Sequence, residues 1–160
     1  MKKVISVIMS VYNENTEQLE KSISSILNQT FKDLEFIIVL DNPNNLIAKK
    51  LILHFSESDK RIIFLENDIN YGLPYSLNKW ILISNWKYIS RMDADDISSL
   101  NRLEKQYNFL ENNNDTDLLF TWWTEIDEKW NTFTRIPKKE WFKNIKKYFF
   151  IKSMILHPTL

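Results

Sequence analysis

The chain has 160 residues, one glycine, no cysteine, and a formal net charge of zero from 21 basic and 21 acidic side chains. The balanced charge provides no basic field to attract nucleic acid, and the lack of cysteine excludes disulfides, thiolate metal sites and cysteine nucleophiles. A single glycine excludes the glycine-rich loops that hold phosphates in P-loop and dinucleotide-binding proteins. No apolar run could span a bilayer and no signal-peptide pattern begins the sequence, so we expect a cytoplasmic protein, with peripheral contact at the inner membrane face left open.

The hydrophobic pattern predicts strands that alternate with helices. Strands are predicted at residues 4–11, 35–40, 61–65, 86–92 and 118–124. The helices between them are predicted from a cap at Asn15 or Thr16 to residue 29, from Pro43 through residue 55, over residues 73–84, and from a cap at Ser98 or Ser99 to residues 112–114. This alternation predicts an α/β fold with a Rossmann-like, mostly parallel sheet and helices on both faces. We expect the core at residues 1–124, followed at 125–160 by a hairpin and a basic aromatic helix.

Polar residues follow three of the predicted strands. They are Ser10, Tyr12, Asn13 and Glu14 after the first, Asp41 and Asn42 after the second, and Arg91, Asp93, Asp95 and Asp96 at the end of the fourth. Because the carboxyl ends of parallel strands meet at one edge of a sheet, these side chains should lie together. Carboxylate and amide oxygens suit Mg²⁺ or Mn²⁺, and such a cation would neutralise a diphosphate without a glycine-rich loop.

Several of these residues also have a purely structural interpretation. Asp93 and Asp95 are two apart at a strand end, so both carboxylates can face one ligand, but an acidic turn before a helix explains them equally well. Asp41 alone is typical of a turn before Pro43. Tyr12 would either stack on a base or pack at the rim of the sheet, and packing is the more common role.

Seven segments occur in order along the chain: V-I-S-V-I-M-S-V-Y-N-E, L-x-x-S-I-x-S-I-L-N-Q-T-F, F-I-I-V-L-D-N-P, D-K-R-I-I, N-Y-G-L-P-Y-S-L-N, Y-I-S-R-M-D-A-D-D and L-H-P-T. Each is weak alone, but as an ordered set they resemble family 2 glycosyltransferases, which have the GT-A fold. The resemblance implies transfer of a sugar from a nucleotide-diphosphate donor, usually UDP-linked, with inversion at the anomeric carbon. The implied acceptor is a saccharide or a lipid-linked molecule.

The resemblance also implies roles for the residues that follow the first two strands. Ser10, Tyr12 and Asp41 resemble the residues that hold the nucleoside, with Tyr12 beside the base. Asn13 and Glu14 belong to the same donor-binding segment.

A second set of roles concerns the metal and the phosphates. Asp93 and Asp95 resemble the D-x-D pair, in which Asp93 would face the ribose or nucleotide and Asp95 would bind Mn²⁺ or Mg²⁺ directly. Arg91 and Arg61 are candidates for secondary phosphate or base contacts, although pairing with nearby acids is the favoured role for each.

The chain departs from the family pattern at several positions. Leu40 replaces the first of two common aspartates, and Trp80 and Trp130 stand where glycine is common. Gly72 is kept, and there we expect either a positive φ or the close approach of a neighbour.

A further departure concerns the catalytic base. The family pattern continues beyond H-P-T to an E-D pair whose Asp is that base, whereas this sequence stops at Leu160. We therefore expect the base to lie beyond Leu160 and this chain to be the donor-binding part without it. The alternative is a non-catalytic nucleotide-sugar-binding or assembly module, and a nucleotidyltransferase is disfavoured because its loop needs several glycines.

The last segment is basic and aromatic. Residues 135–152 carry seven basic side chains and one acid, Glu140, with aromatic residues between them. Packing of the aromatic residues on the parent domain is favoured, and the alternative is a helix that binds anionic lipid at the membrane surface. His157 lies in the L-H-P-T segment, where a structural role is favoured over ligand or metal binding.

Overall fold

The computed structural model describes residues 4–82, 84, 86–119, 121, 124–127 and 131–134. The elements in chain order are β1 (Ile5–Val11), α1 (Thr16–Leu27), β2 (Leu34–Leu40), α2 (Leu46–Ser58), β3 (Ile62–Glu66), α3 (Leu73–Ile81), β4 (Tyr88–Asp93), α4 (Arg102–Asn112), β5 (Thr124–Ile126) and β6 (Thr132–Thr134). The alternation of strand and helix predicted for the first part of the chain is confirmed.

Strands β1 to β4 form one parallel sheet in the order β3-β2-β1-β4. β1 and β2 are nearly continuous apolar runs, as expected of central strands covered on both faces. Each of these strands is joined to the next one in the chain through a helix, which is the βαβ arrangement of a doubly wound sheet. The predicted α/β class with a mostly parallel sheet is therefore confirmed.

The sheet is covered on both faces by helices. The larger apolar cluster joins one face of β1 and β2, through residues such as Val7 and Phe36, to Ile23 of α1, Ile52 of α2 and Leu103 of α4. On the other face, the smaller cluster contains Ile8, Ile37, Val39, and Leu77 and Trp80 of α3. Full burial of one such side chain contributes about 1.5–3 kcal/mol to the stability of the fold. The two clusters together therefore stabilise the sheet and the strand ends that it positions.

Trp80 lies within α3 and packs on the smaller cluster. A position that resembles a glycine site in the family is therefore helical here, and no turn with positive φ is required of the tryptophan.

Several predicted boundaries are wrong by a few residues. α1 does begin after Asn15, whose Oδ1 accepts a hydrogen bond from Glu17 N–H over 2.8 Å. α2 begins at Leu46 instead of Pro43, because the Asn45 side chain caps it.

The later elements also differ from the predicted bounds. α4 begins at Arg102, three or four residues after the predicted serine caps. α3 ends at Ile81 and β4 begins at Tyr88, so both are shorter than predicted.

The predicted fifth strand is wrong where the structure describes it. Leu118, Leu119 and Thr121 are not in a strand, and Leu118 is 56% exposed, so these described residues do not belong to the parallel sheet. Thr124 instead begins β5, which pairs antiparallel with β6.

Some predictions fall outside the described residues. These are the predictions for the basic aromatic segment and His157, within residues 135–160, and for Trp130. The expectation that the catalytic base lies beyond Leu160 also concerns no described residue, and it stays a prediction. In the described part of the chain, no helix has the length and apolar character needed to cross a membrane.

Candidate functional site

The carboxyl ends of β1, β2 and β4 lie side by side. Ser10 is in register with Asp93 of β4, and Asp41 N–H donates to the Val11 carbonyl over 2.7 Å. The segments that follow these strands therefore leave the sheet at one edge, as expected for parallel strands. The structure brings most of the predicted site residues to this edge: Ser10, Tyr12, Asn13, Glu14, Asp41, Arg91, Asp93 and Asp95.

Hydrogen bonds join the segments that follow β1 and β2. Tyr12 N–H donates to Glu14 Oε2 over 2.7 Å. Asn42 Nδ2 donates to Asn13 Oδ1 over 2.7 Å, and Asn45 Nδ2 donates to the Tyr12 carbonyl over 3.0 Å. Tyr12 is 44% exposed, and hydrogen bonds hold its main chain at the edge.

Asp41 is buried and holds the loop between β3 and α3. Its Oδ1 accepts hydrogen bonds from Asn67 Nδ2 over 2.6 Å and from Tyr71 N–H over 3.0 Å, and its Oδ2 accepts one from Gly72 N–H over 2.8 Å. Asn67 Nδ2 also donates to Ser76 Oγ over 2.8 Å. Asp41 is only 2% exposed, so its carboxylate is occupied by one side-chain amide and two main-chain N–H groups of the protein, and direct contact with a nucleoside stays a prediction.

Gly72 has φ 82° and ψ 157°, in a region of backbone conformation that is essentially restricted to glycine. The positive φ expected from the sequence is confirmed. A Cβ at this position would meet nothing within 4 Å, so the backbone conformation and not lack of space requires glycine here. The main chain can thereby turn from the loop into α3 while its N–H points to Asp41.

The acidic residues after β4 form a tight turn. Asp96 N–H donates to the Asp93 carbonyl over 3.3 Å. The Asp93 carboxylate pairs with the guanidinium of Arg91, a residue that is only 8% exposed and whose pKa is lowered by burial. Asp95, which lies between Asp93 and Asp96 in the sequence, is exposed. Of the two predicted metal ligands, Asp95 is the exposed carboxylate and Asp93 is the one already paired with a cation.

Burial and, to a smaller extent, neighbouring carboxylates raise the pKa values of the acidic side chains near this turn. Burial raises the pKa of Glu14, of Asp93 and of Asp96, the last to about 6, and the charge of Asp95 raises each of these pKa values further. Burial also lowers the pKa of Arg102 to about 10, although Asp96 opposes that shift. Four carboxylates thus interact here with only two guanidinium groups, and a divalent cation would stabilise the charged forms of the carboxylates.

The described residues do not form a metal site by themselves, so a cation here would need further ligands from a bound molecule. In the part of the chain that the structure describes, no three His, Cys, Asp or Glu side chains form a group that could hold a metal ion. Mg²⁺ is commonly bound by one or two carboxylates together with substrate phosphates and water. Asp95, with Asp93 two residues before it, supplies carboxylates of this kind at the open edge of the sheet.

Arg61 is not brought to this edge. It precedes β3 and so lies at the amino end of the sheet, where its Nε donates to Asp59 Oδ1 over 3.0 Å and its Nη2 donates to the Leu27 carbonyl over 2.8 Å. This is the pairing with a nearby acid that the sequence favoured over a phosphate contact.

Three buried polar residues that hold the loops of the site were not predicted from the sequence: Asn67, Ser22 and Gln29. Asn67 directly follows β3, so the rule for strand ends would have found it. Ser22 and Gln29 lie among the apolar positions of the first helical segment, and polar residues at such positions signal a buried hydrogen bond.

The family model for glycosyl transferase family 2 matches residues 6–160. The chain belongs to glycosyltransferase family 2. An uncharacterized glycosyltransferase of Methanocaldococcus jannaschii is 50% identical over 160 residues, which are 99% of this chain and 55% of that protein. The O-antigen biosynthesis glycosyltransferase WbnJ of Escherichia coli is 34% identical over 98% of this chain and 60% of its own length. The chain thus spans little more than half the length of these relatives.

Solved structures of glycosyltransferases have the same fold. Residues 1–349 of Staphylococcus aureus TarS in complex with UDP-GlcNAc match with a TM-score of 0.61 and 18% identity, over 69% of this chain and 32% of that chain. The mannosyltransferase PcManGT of Pyrobaculum calidifontis, in complex with GDP-Man and Mn²⁺, matches with a TM-score of 0.60 and 19% identity, over 66% of this chain and 32% of that chain. The GT-A fold that the sequence predicted is confirmed.

Proposed function

We propose that this chain binds a nucleotide-sugar donor, with UDP as the nucleotide, and that Asp95 with Asp93 holds a divalent cation against the donor diphosphate. The observation that carries the proposal is the acidic turn at the carboxyl edge of the sheet, where Asp95 is exposed among half-buried carboxylates. Excess negative charge at an open edge is suited to a cation whose remaining ligands come from a diphosphate. Solved relatives of the same fold were crystallised with UDP-GlcNAc, or with GDP-Man and Mn²⁺.

The residues around the turn take complementary roles in this proposal. Tyr12 contacts the nucleobase with its exposed ring, and Ser10, Asn13 and Glu14 line the donor on the β1 side. Asp41 acts through the loop that it holds. Arg91 balances the charge of Asp93 and so leaves Asp95 as the direct metal ligand. A bound Mn²⁺ or Mg²⁺ would act as a Lewis acid that stabilises the charge on the leaving nucleotide.

The transfer reaction is proposed for the whole protein, because the chain spans only part of the length of its relatives. We propose inverting transfer to a saccharide or lipid-linked acceptor in the synthesis of a cell-envelope polysaccharide, with a catalytic base from beyond Leu160. Support comes from the family and from a relative named for O-antigen biosynthesis. The excess of basic residues at 135–152 supports contact with an anionic membrane surface.

Calorimetric titration of UDP tests the donor site. Wild type and Asp95→Ala are each titrated in Mn²⁺ and in EDTA, with GDP as a second nucleotide. The proposal predicts that Mn²⁺ strengthens UDP binding to wild type only, because the cation links Asp95 to the diphosphate. Equal UDP affinity in all four cases would contradict the metal bridge. The same result, UDP binding without any gain from Mn²⁺, would also favour a non-catalytic nucleotide-sugar-binding module.

A further inference from the structure

A stripe of polar residues interrupts the apolar inner side of the first helical segment. The polar stripe consists of Ser22 and Ser25 of α1 and Gln29, which follows the helix end. Spacings of three and four residues bring them to one side of the helix. Ser22 and Gln29 are 0% exposed. Burial of such groups costs free energy unless they are hydrogen bonded, so their partners indicate what the stripe stabilises.

The two serines bond to both ends of the acidic turn. Ser22 Oγ donates to the Asp93 carbonyl over 3.0 Å. Ser25 Oγ accepts a hydrogen bond from Ser98 N–H over 3.0 Å. The main chain is thus tied to α1 two residues before Asp95 and three residues after it.

Gln29 extends these contacts into α4. Its Nε2 donates to the Ser99 carbonyl over 2.7 Å and to Ser98 Oγ over 3.2 Å, and its Oε1 accepts a hydrogen bond from Leu103 N–H over 3.0 Å. Leu103 is the second residue of α4, and Asn101, in the N-cap position, makes no side-chain cap hydrogen bond. Gln29 therefore satisfies a helix N–H that a local cap would ordinarily satisfy.

Asp95 lies between these anchors. It is exposed, whereas its neighbour Ala94 is 2% exposed and packs in the larger apolar cluster. The position of Asp95 therefore depends on the main chain of the turn, which the polar stripe holds at Asp93 and Ser98.

We propose that Ser22, Ser25 and Gln29 are positioning residues for the donor-binding turn. They fix the main chain on both sides of Asp95, so that its carboxylate meets the metal and the diphosphate without reorganisation. This inference rests on the proposed function of Asp95. The three side chains bond to protein groups and would affect UDP binding through the position of Asp95.

The first measurement is UDP affinity of the purified protein in Mn²⁺ and in EDTA. Ser22→Ala and Gln29→Leu each remove hydrogen bonds to the turn or to α4. Loss of a residue that orients a metal ligand typically costs 10–100-fold in affinity, so we expect a loss of roughly this size in Mn²⁺ and little change in EDTA. The matched control is Ser6→Ala. Ser6 is also 0% exposed, but it bonds Glu35 over 2.5 Å near the amino end of β1, and its loss should leave both affinities nearly unchanged.

A double-mutant cycle distinguishes positioning from general destabilisation. If the polar stripe acts through the Asp95 carboxylate, Gln29→Leu should cost no further Mn²⁺-supported UDP affinity once Asp95→Ala is present. A loss that persists in the Asp95→Ala background would overturn the inference, as would an equal loss in Ser6→Ala.

Hydrogen exchange of the protein without ligand completes the test. Amides of residues 93–103 should exchange faster in Ser22→Ala and Gln29→Leu, while those of β2 should not change. Unchanged exchange in residues 93–103 would overturn the inference whatever the UDP affinity.

A wild-type protein that binds UDP equally in Mn²⁺ and EDTA would overturn the proposed metal role itself. In that case hydrogen exchange would still decide whether the polar stripe holds the turn.

Discussion

Asp41 and Asp95 lie at the same edge of the sheet, each just after a parallel strand, yet their surroundings are opposite. Asp41 is 2% exposed and accepts three hydrogen bonds from the loop between β3 and α3. Asp95 is exposed on a tight turn, and its charge raises the pKa of neighbouring carboxylates. Position at a strand end therefore identifies residues of the site, but the partners of each carboxylate decide whether it holds the protein or is available to a ligand.

Replacement of Asp41 should have the largest effect on folding. Asp41→Ala leaves Asn67 and two main-chain N–H groups without their charged acceptor, and hydrogen bonds to charged groups contribute about 1.5–3 kcal/mol each. We expect the free energy of unfolding to fall by at least about 3 kcal/mol in urea denaturation. A decrease no larger than that of Asp95→Ala would remove the distinction between the two carboxylates.

Asp95→Asn should show the reverse pattern. Because Asp95 is exposed, the free energy of unfolding should change by less than about 0.5 kcal/mol. UDP affinity in Mn²⁺ should fall by about 10–100-fold, since the metal loses a charged ligand. Asp115→Asn is the control, because Asp115 is also exposed but follows α4. If both variants bound UDP equally well in Mn²⁺, Asp95 would have no special role.

Gly72→Ala tests the loop that Asp41 holds. At φ 82° an L-residue is strained, and we expect a loss of about 1–3 kcal/mol in the free energy of unfolding. Because an added Cβ meets nothing within 4 Å, Gly72→Ser should cost about as much as Gly72→Ala. A cost that rises steeply with side-chain size would instead indicate crowding and contradict the conformational explanation.

Asp59 gives the smallest expected effect and lies at the opposite end of the sheet. Its hydrogen bond with Arg61 lowers the pKa of Asp59, so the folded state is favoured while the carboxylate is charged. This contribution is present above the unfolded pKa of about 3.9 and disappears as pH falls through the folded pKa. Asp59→Asn should cost about 0.2–1 kcal/mol at pH 7, a difference from wild type that shrinks on acidification. Denaturation at several pH values measures it, and a difference that grew at low pH would contradict the pairing.

The sequence predicted the parallel sheet and the edge at which the site lies because long apolar strands and strand-end polar residues are local signals. It also predicted a cap at Asn15 or Thr16, of which Asn15 is the observed cap, and the resemblance to the family predicted the positive φ of Gly72. The start of α4 was not predictable in this way, because Gln29, 74 residues before Leu103 in the sequence, satisfies its N–H.

The same limit applies to the candidate site. Nothing in the residues adjacent to Asp41 indicates that Asn67 and the N–H groups of Tyr71 and Gly72 will occupy its carboxylate, because those partners come from a distant loop. At Leu118 a local signal was misleading. The apolar residues there predict a strand, but the described residues 118, 119 and 121 are not in one, and Leu118 is exposed.

The most direct test of the account is a crystal structure of the protein with UDP and Mn²⁺, with the cation located by its anomalous scattering. The account predicts an Mn²⁺ ion within a coordination distance of about 2–2.5 Å of an Asp95 oxygen, bridging to the diphosphate. It also predicts that the Asp41 carboxylate keeps its hydrogen bonds to Asn67, Tyr71 and Gly72. An ion bound away from Asp95, or an Asp41 carboxylate that leaves the loop to contact the nucleoside, would contradict it.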